Sequence, residues 1–163
     1  MTELPIKCLT QPLMDSIAEQ ARSSPRQRKN YNFHDESEHV QRFLNVLQPG
    51  TYVRPHRHIR PADASGFEFF LVLQGAIGIL ILNESGEVLH TEKISATGTT
   101  RGVELAEGIF HTLIALEPDT VMFELKEGPY MPMSDKDFLQ QFPTENMPEA
   151  KQWVQTWQTH FTH

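Results

Sequence analysis

The apolar residues of this chain follow a helical period at its start, a strand period through its middle and a helical period again near its end. Leu13, Met14, Ile17, Ala18 and Ala21 recur three and four apart, so they share one face of a helix. Thr10 can cap that helix, Pro12 falls in its first turn, where a missing N–H costs little, and Ser23-Ser24-Pro25 ends it. From Val40 the period shortens towards alternation. Strands are predicted over 40–47, 51–58, 68–74, 78–82, 88–94, 103–105, 111–116 and 121–125, with turns at Pro49-Gly50, Asn83-Glu84-Ser85-Gly86, Glu107-Gly108 and Pro118-Asp119. After Glu68 both parities are apolar, Phe70 and Val72 on one and Phe69, Leu71 and Leu73 on the other, which predicts a strand buried on both faces. Short strands and turns at such intervals indicate an all-β sandwich or barrel. Beyond Gly128-Pro129 the texture changes. Ser134-Asp135-Lys136-Asp137 has the form of a capping box opening a short helix with Phe138, Leu139 and Phe142. Pro148 can open a last helix whose apolar stripe is Trp153, Val154, Trp157 and Phe161.

Composition narrows the class without changing the fold. A chain of 163 residues with 39% hydrophobic content can build one real core. One domain is therefore expected, with an N-terminal helix and basic loop over 1–35, a β-barrel core over 36–130 and a C-terminal helical extension over 131–163. Mean hydropathy is −0.42, and the longest apolar runs, 69–73 and 79–82, are far short of the roughly 18 residues a membrane helix needs. The first residues, MTELPIKCL, show no basic segment leading into an apolar one, so no secretory signal is expected. A single cysteine, Cys8, excludes an internal disulfide and fits a reducing cytoplasm. The net charge of −7 argues against general binding to nucleic-acid phosphates. The expectation is a cytoplasmic protein that engages neither membrane nor nucleic acid.

The informative residues are the polar ones that interrupt apolar strands. His56 and His58 are two apart, so on a strand they project together, about 7 Å apart along it. Glu68 opens the apolar run FEFFLVLQGAIGILIL, which can run antiparallel to the histidine strand and return the carboxylate to the pair. An unpaired carboxylate there would be costly, and either a metal ion or an arginine would remove the cost. His111 begins another apolar strand and is the candidate fourth ligand, against the blander reading of a satisfied core histidine. Imidazoles and a carboxylate suit a borderline divalent cation, and ligand softness does not choose among Fe, Mn, Ni, Co and Zn. The free N–H groups of such histidines need acceptors, for which Asn45, Gln74 and Glu104 are available. Tyr52 and Arg54 share the histidines' parity and would line the same cavity if the strand stays regular through Pro55. Arg54 would then anchor a carboxylate or phosphate, whereas at a strand edge it would face solvent. The basic segment Arg26 to Asn30 is a solvated loop or a pocket wall; Asn30, Asn32 and His34 would face one way in an extended segment. No G-x-S-x-G, phosphate loop or paired zinc cysteines compete with these assignments.

The same residues carry a resemblance. Gly50, five residues, His56-x-His58, a spacer, Glu68, six residues and Gly75 resemble the first motif of the cupins, and Gly108-Ile109-Phe110-His111 resembles the second. The departures are a longer spacer, nine residues between His58 and Glu68, with Ala106 in place of a usual proline and Ala115 in place of a usual asparagine. Segments 23–34, 41–58, 101–104, 115–124 and 128–138 resemble the WbuC-type cupin-fold metalloproteins, a family associated with O-antigen gene clusters. The resemblance implies an all-β cupin double-stranded β-helix (jelly-roll barrel) with short helices at the N- and C-terminal ends. It also implies one divalent metal ion (Fe, Mn, Ni or Zn) on His56, His58, Glu68 and His111, and a homodimer, to which apolar terminal helices would contribute. It supports pocket roles for Arg28, Asn32 and His34, beside Asn45, Tyr52 and Arg54. Two functions follow: a metal-dependent enzyme, of oxygenase or isomerase type, acting on a small polar or anionic, sugar-derived molecule, or a non-catalytic metal-dependent small-molecule binder or sensor. A third reading makes the ion a structural staple.

Overall fold

The computed structural model describes residues 6–60, 66–131 and 136–162. Most of the long spacer (61–65), Ser134 and Asp135 of the expected capping box, and His163 lie outside them. Helix α1 spans Gln11–Ser23, and the Thr10 hydroxyl caps it by accepting from the Leu13 N–H at 3.3 Å. Among the described residues ten strands follow: β1 (Arg28–Asn32), β2 (Val40–Leu47), β3 (His56–Arg57), β4 (Phe67–Gln74), β5 (Ala76–Leu82), β6 (Val88–Ser95), β7 (Gly102–Ala106), β8 (Phe110–Ala115), β9 (Thr120–Glu127) and β10 (Asp137–Phe138). Helix α2 (Glu149–Gln158) runs into a 3₁₀ turn over Thr159–Phe161.

The strands form two antiparallel five-stranded sheets, ordered β1-β2-β9-β4-β7 and β10-β3-β8-β5-β6. Alternation sorts the side chains into three apolar layers. Leu47, Phe70, Val72, Leu105 and Met122 of the first sheet meet Ile77, Ile79, Ile94, Leu113 and Ala115 of the second in the central core. Outside the first sheet, Met14, Ile17, Ala18 and Ala21 of α1 cover Leu44, Val46 and Val121. Outside the second, Ala150, Val154 and Trp157 of α2 cover Leu80, Leu82 and Ile114. This is the predicted jelly-roll architecture with a short helix at each end. Both helical stripes are consumed by the chain's own sheets.

Three expectations are corrected. The apolar run from Glu68 is two strands, because Gly75 (φ +74°) turns the chain from the first sheet into the second, and a Cβ there would collide with Thr120. Glu68 therefore belongs to the sheet opposite the histidines and does not pair with their strand; β4 buries one face and leaves the other half-buried. The predicted strand 51–58 shrinks to His56–Arg57, since Pro55 has no N–H to give a ladder. Phe138, expected on a helix, sits in β10 and pairs with His56.

Candidate metal centre and cavity

The inward faces of several strands are apolar at one end and polar at the other, and the polar ends coincide. On β8 the inward series is His111, Leu113, Ala115; on β4 it is Glu68, Phe70, Val72; on β9 it is Lys126, Glu124, Met122. Register aligns them: His56 lies opposite His111 across β3–β8, while Lys126 lies between Gln41 on β2 and Glu68 on β4. The apolar ends make the core, and the polar ends line a cavity of about 520 Å³.

Three histidines converge there. One ring nitrogen from each of His56, His58 and His111 lies within 4.8 Å of the others, and all three residues are buried. The Nδ1–H of His56 donates to the Arg54 carbonyl and that of His111 to the Ile109 carbonyl, both at 2.9 Å. Those bonds orient the rings and leave Nε2 as the candidate ligand atom. Main-chain carbonyls thus do what Asn45, Gln74 or Glu104 was expected to do. From the opposite sheet, Glu68 places Oε1 3.3 Å from His58 Nε2 and Oε2 3.2 Å from His111 Nε2. Ligands bound at about 2.1 Å to one ion stand about 3 Å apart at right angles, so this spacing suits a shared divalent cation.

Electrostatics point the same way. Burial, with His111 and Lys136 nearby, holds His56 well below its ordinary pKa, so its imidazole is neutral and able to bind an ion. Burial alone would raise the Glu68 pKa, but the charge and hydrogen bonds of His111, with those of His58 and Glu124, hold it well below the carboxylate range. Glu124 goes the other way. It is buried, hydrogen-bonded to Glu68 and repelled by that charge, so its pKa is pushed well above normal and it holds the shared proton. Lys126 is also buried, its ammonium 5.8 Å from the ring centres of Phe43 and Tyr130. Lys136, an exposed residue, lines the same cavity.

The expected pocket residues divide. Asn32, His34 and Asn45 line the cavity, and so does Arg28. The Arg28 guanidinium is nevertheless committed elsewhere, donating to the Tyr52 carbonyl at 2.8 Å and the Thr51 hydroxyl at 3.3 Å and pairing with Glu145. Tyr52 and Arg54 are not on the cavity wall. Tyr52 stacks on Trp157 at 5.6 Å and donates its hydroxyl to the Pro143 carbonyl; burial pushes its pKa up to about 12. The Arg54 guanidinium lies over the Phe138 ring at 5.1 Å and reaches the Leu139 carbonyl. Between them it is Val53 that faces the cavity, because the alternation slips at Pro55. Gln41, Glu124 and Lys126 were missed, although Gln41 shares the inward parity of Phe43, and Glu124 and Lys126 share that of Met122.

Residues 9–94, just over half of the chain, match the family described as a domain of unknown function, DUF6016. The chain belongs to that family. No curated protein sequence matches it. Among solved structures it is similar to the capsular polysaccharide assembling protein CapF of Staphylococcus aureus, at 19% identity over 71% of this chain and 30% of that one, with a TM-score of 0.57. It is similar to KdgF from a Halomonas species at 19% identity, covering 68% of this chain and 84% of that one, TM-score 0.50. It is also similar to oxalate decarboxylase of Bacillus subtilis at 16% identity, covering 69% and 27%, TM-score 0.51. The chain spans under a third of the CapF and oxalate decarboxylase chains. These likenesses establish the cupin fold. No helix among the described residues is long and apolar enough to cross a membrane.

Proposed function

We propose that this protein is a WbuC-type metal-binding cupin, with one divalent ion on His56, His58, Glu68 and His111, and that it is an enzyme acting on a small polar or anionic molecule in the cavity. The observation that carries this reading is the convergence of three buried imidazoles, on β3, just after it and on β8, with a buried carboxylate from the facing sheet, beside a cavity of about 520 Å³. A bound ion supplies Lewis acidity, with redox chemistry added if it is iron or manganese. The chain's own groups do the rest. His56 and His111 are oriented by main-chain carbonyls, Glu68 brings negative charge, and protonated Glu124 beside it is placed to hold a proton next to a bound ligand. Lys126 favours an anionic ligand, and the polar wall of β1 and β2 suits a sugar-derived one. The ligand set is tested by elemental analysis of protein isolated without chelator or nickel resin. About one ion per chain is expected, lost in His56→Ala and His111→Ala while the β-sheet circular dichroism stays. An ion retained in full by either variant rejects the set.

A further inference from the structure

The cavity wall opposite the histidines carries polar groups with no partner among the described residues. Gln41 on β2 is 2% exposed, lines the cavity and leaves its Nε2 without a hydrogen bond. Asn45, four residues further along the same inward face, leaves its buried Oδ1 without one. Its neighbour across β1–β2 is Asn30, and Asn32 is the neighbour of Phe43 between the two amides. A buried unpaired amide group is destabilising, so two on one wall are expected only where something else satisfies them. The register sets the geometry. Gln41, Lys126 and Glu68 form one row across β2, β9 and β4, placing Gln41 about 10 Å from the Glu68 strand by ordinary strand spacing.

We propose that Gln41 and Asn45 form a hydroxyl-binding subsite, and that the ligand is a polyhydroxylated carboxylic acid whose carboxylate lies towards Lys126 and the histidines. This rests on the cavity being the binding site, as proposed above. A carboxylate can only accept hydrogen bonds, so it can satisfy the Gln41 amide N–H but not the Asn45 carbonyl. A hydroxyl both donates and accepts, and adjacent hydroxyls along a chain can serve both amides. Phe43, between them on the strand, offers an apolar face for the C–H groups of such a chain. The acid end follows from the charge of Lys126 and of the ion proposed beside it.

The test titrates metal-loaded protein with three probes, D-gluconate, hexanoate and D-sorbitol, by calorimetry and by the side-chain amide NMR signals of Gln41 and Asn45. Gluconate is expected to bind at least about tenfold more tightly than hexanoate or sorbitol, and both amide signals should move with gluconate and sorbitol but not with hexanoate. Gln41→Leu and Asn45→Leu should each weaken gluconate about tenfold, roughly the loss of one hydrogen bond, and leave hexanoate unchanged. Gln41→Leu, which removes an unpaired buried donor, should melt no lower than the parent without ligand; a lower melting point would make Gln41 structural and count against the subsite. Hexanoate binding as tightly as gluconate, or gluconate affinity unaltered in both variants, overturns the proposal. Sorbitol titrated into metal-free protein separates the two readings. Amide shifts that persist in a protein binding no ion keep the subsite while rejecting the metal centre, and their absence with and without metal rejects the subsite alone.

Discussion

Arg28 shows how a residue can line a cavity and yet belong to the scaffold. Its charge is buried against main-chain and hydroxyl acceptors and paired with Glu145, which Arg26 also holds at 2.8 Å. Burial would raise the Glu145 pKa, but the Arg26 hydrogen bond and the Arg28 charge outweigh it and hold it below its ordinary value. A carboxylate depressed in the folded state contributes stability above its unfolded pKa and loses it as pH falls through the folded value. Glu145→Gln should therefore reduce stability to urea by about 1–3 kcal/mol at neutral pH, since it leaves a buried guanidinium underpaired. The difference should close at a pH well below the ordinary carboxylate range, where the parent is protonated too. An equal deficit at both pH values would assign the effect to packing instead. The partner of Arg28 is 117 residues away, and no local pattern announces it. The histidine pair was legible because both members lie within three residues of one another. Arg54 was misplaced because parity cannot be carried through a proline that interrupts the ladder.

At the scale of elements, the helices were legible and their partners were not. A period of three to four residues defines a stripe, and the stripes of α1 and α2 appear where the sequence places them. What covers a stripe depends on which sheet face is left bare, and here each helix covers its own sheet, which removes the reason those stripes gave for a dimer. Trp157 is the anchor of α2. It is 1% exposed, stacks on Tyr52 and packs beside Phe142 and Trp153. Trp157→Ala should lower stability by about 3–5 kcal/mol through lost burial and the cavity left behind, while the metal content per folded chain stays at the parent value. A variant that loses the ion along with the helix would show that α2 also holds β3 and β8 in register. The edge strands β1 and β10 escaped the sequence for a different reason. One is polar and the other has two residues, so neither shows alternation long enough to read.

At the scale of the molecule, the position of the site relative to the core decides what an ion contributes to stability. The three apolar layers are formed by the sheets and helices without any of the candidate ligands, and the polar ends of β4, β8 and β9 are joined to that core by their ladders. The buried Glu68 charge has two imidazoles and the Glu124 proton beside it even in the free protein, so the polar end does not depend on a cation to avoid an orphaned carboxylate. Chelation should then leave a folded protein. The β-sheet circular dichroism and a cooperative unfolding transition should survive, with stability lower by an amount set by mass action, about 2.7 kcal/mol relative to protein at a hundredfold excess of free ion over its dissociation constant. Restored ion should raise the midpoint in proportion to the logarithm of its concentration. Loss of the sheet signal on chelation would make the ion a structural staple and would put the energy of the fold where the layers do not. Alternation along single strands reveals which side chains face inward, but it is silent on which sheet each strand joins. That is why the candidate ligands could be picked out in the sequence, while their approach from two facing sheets could not.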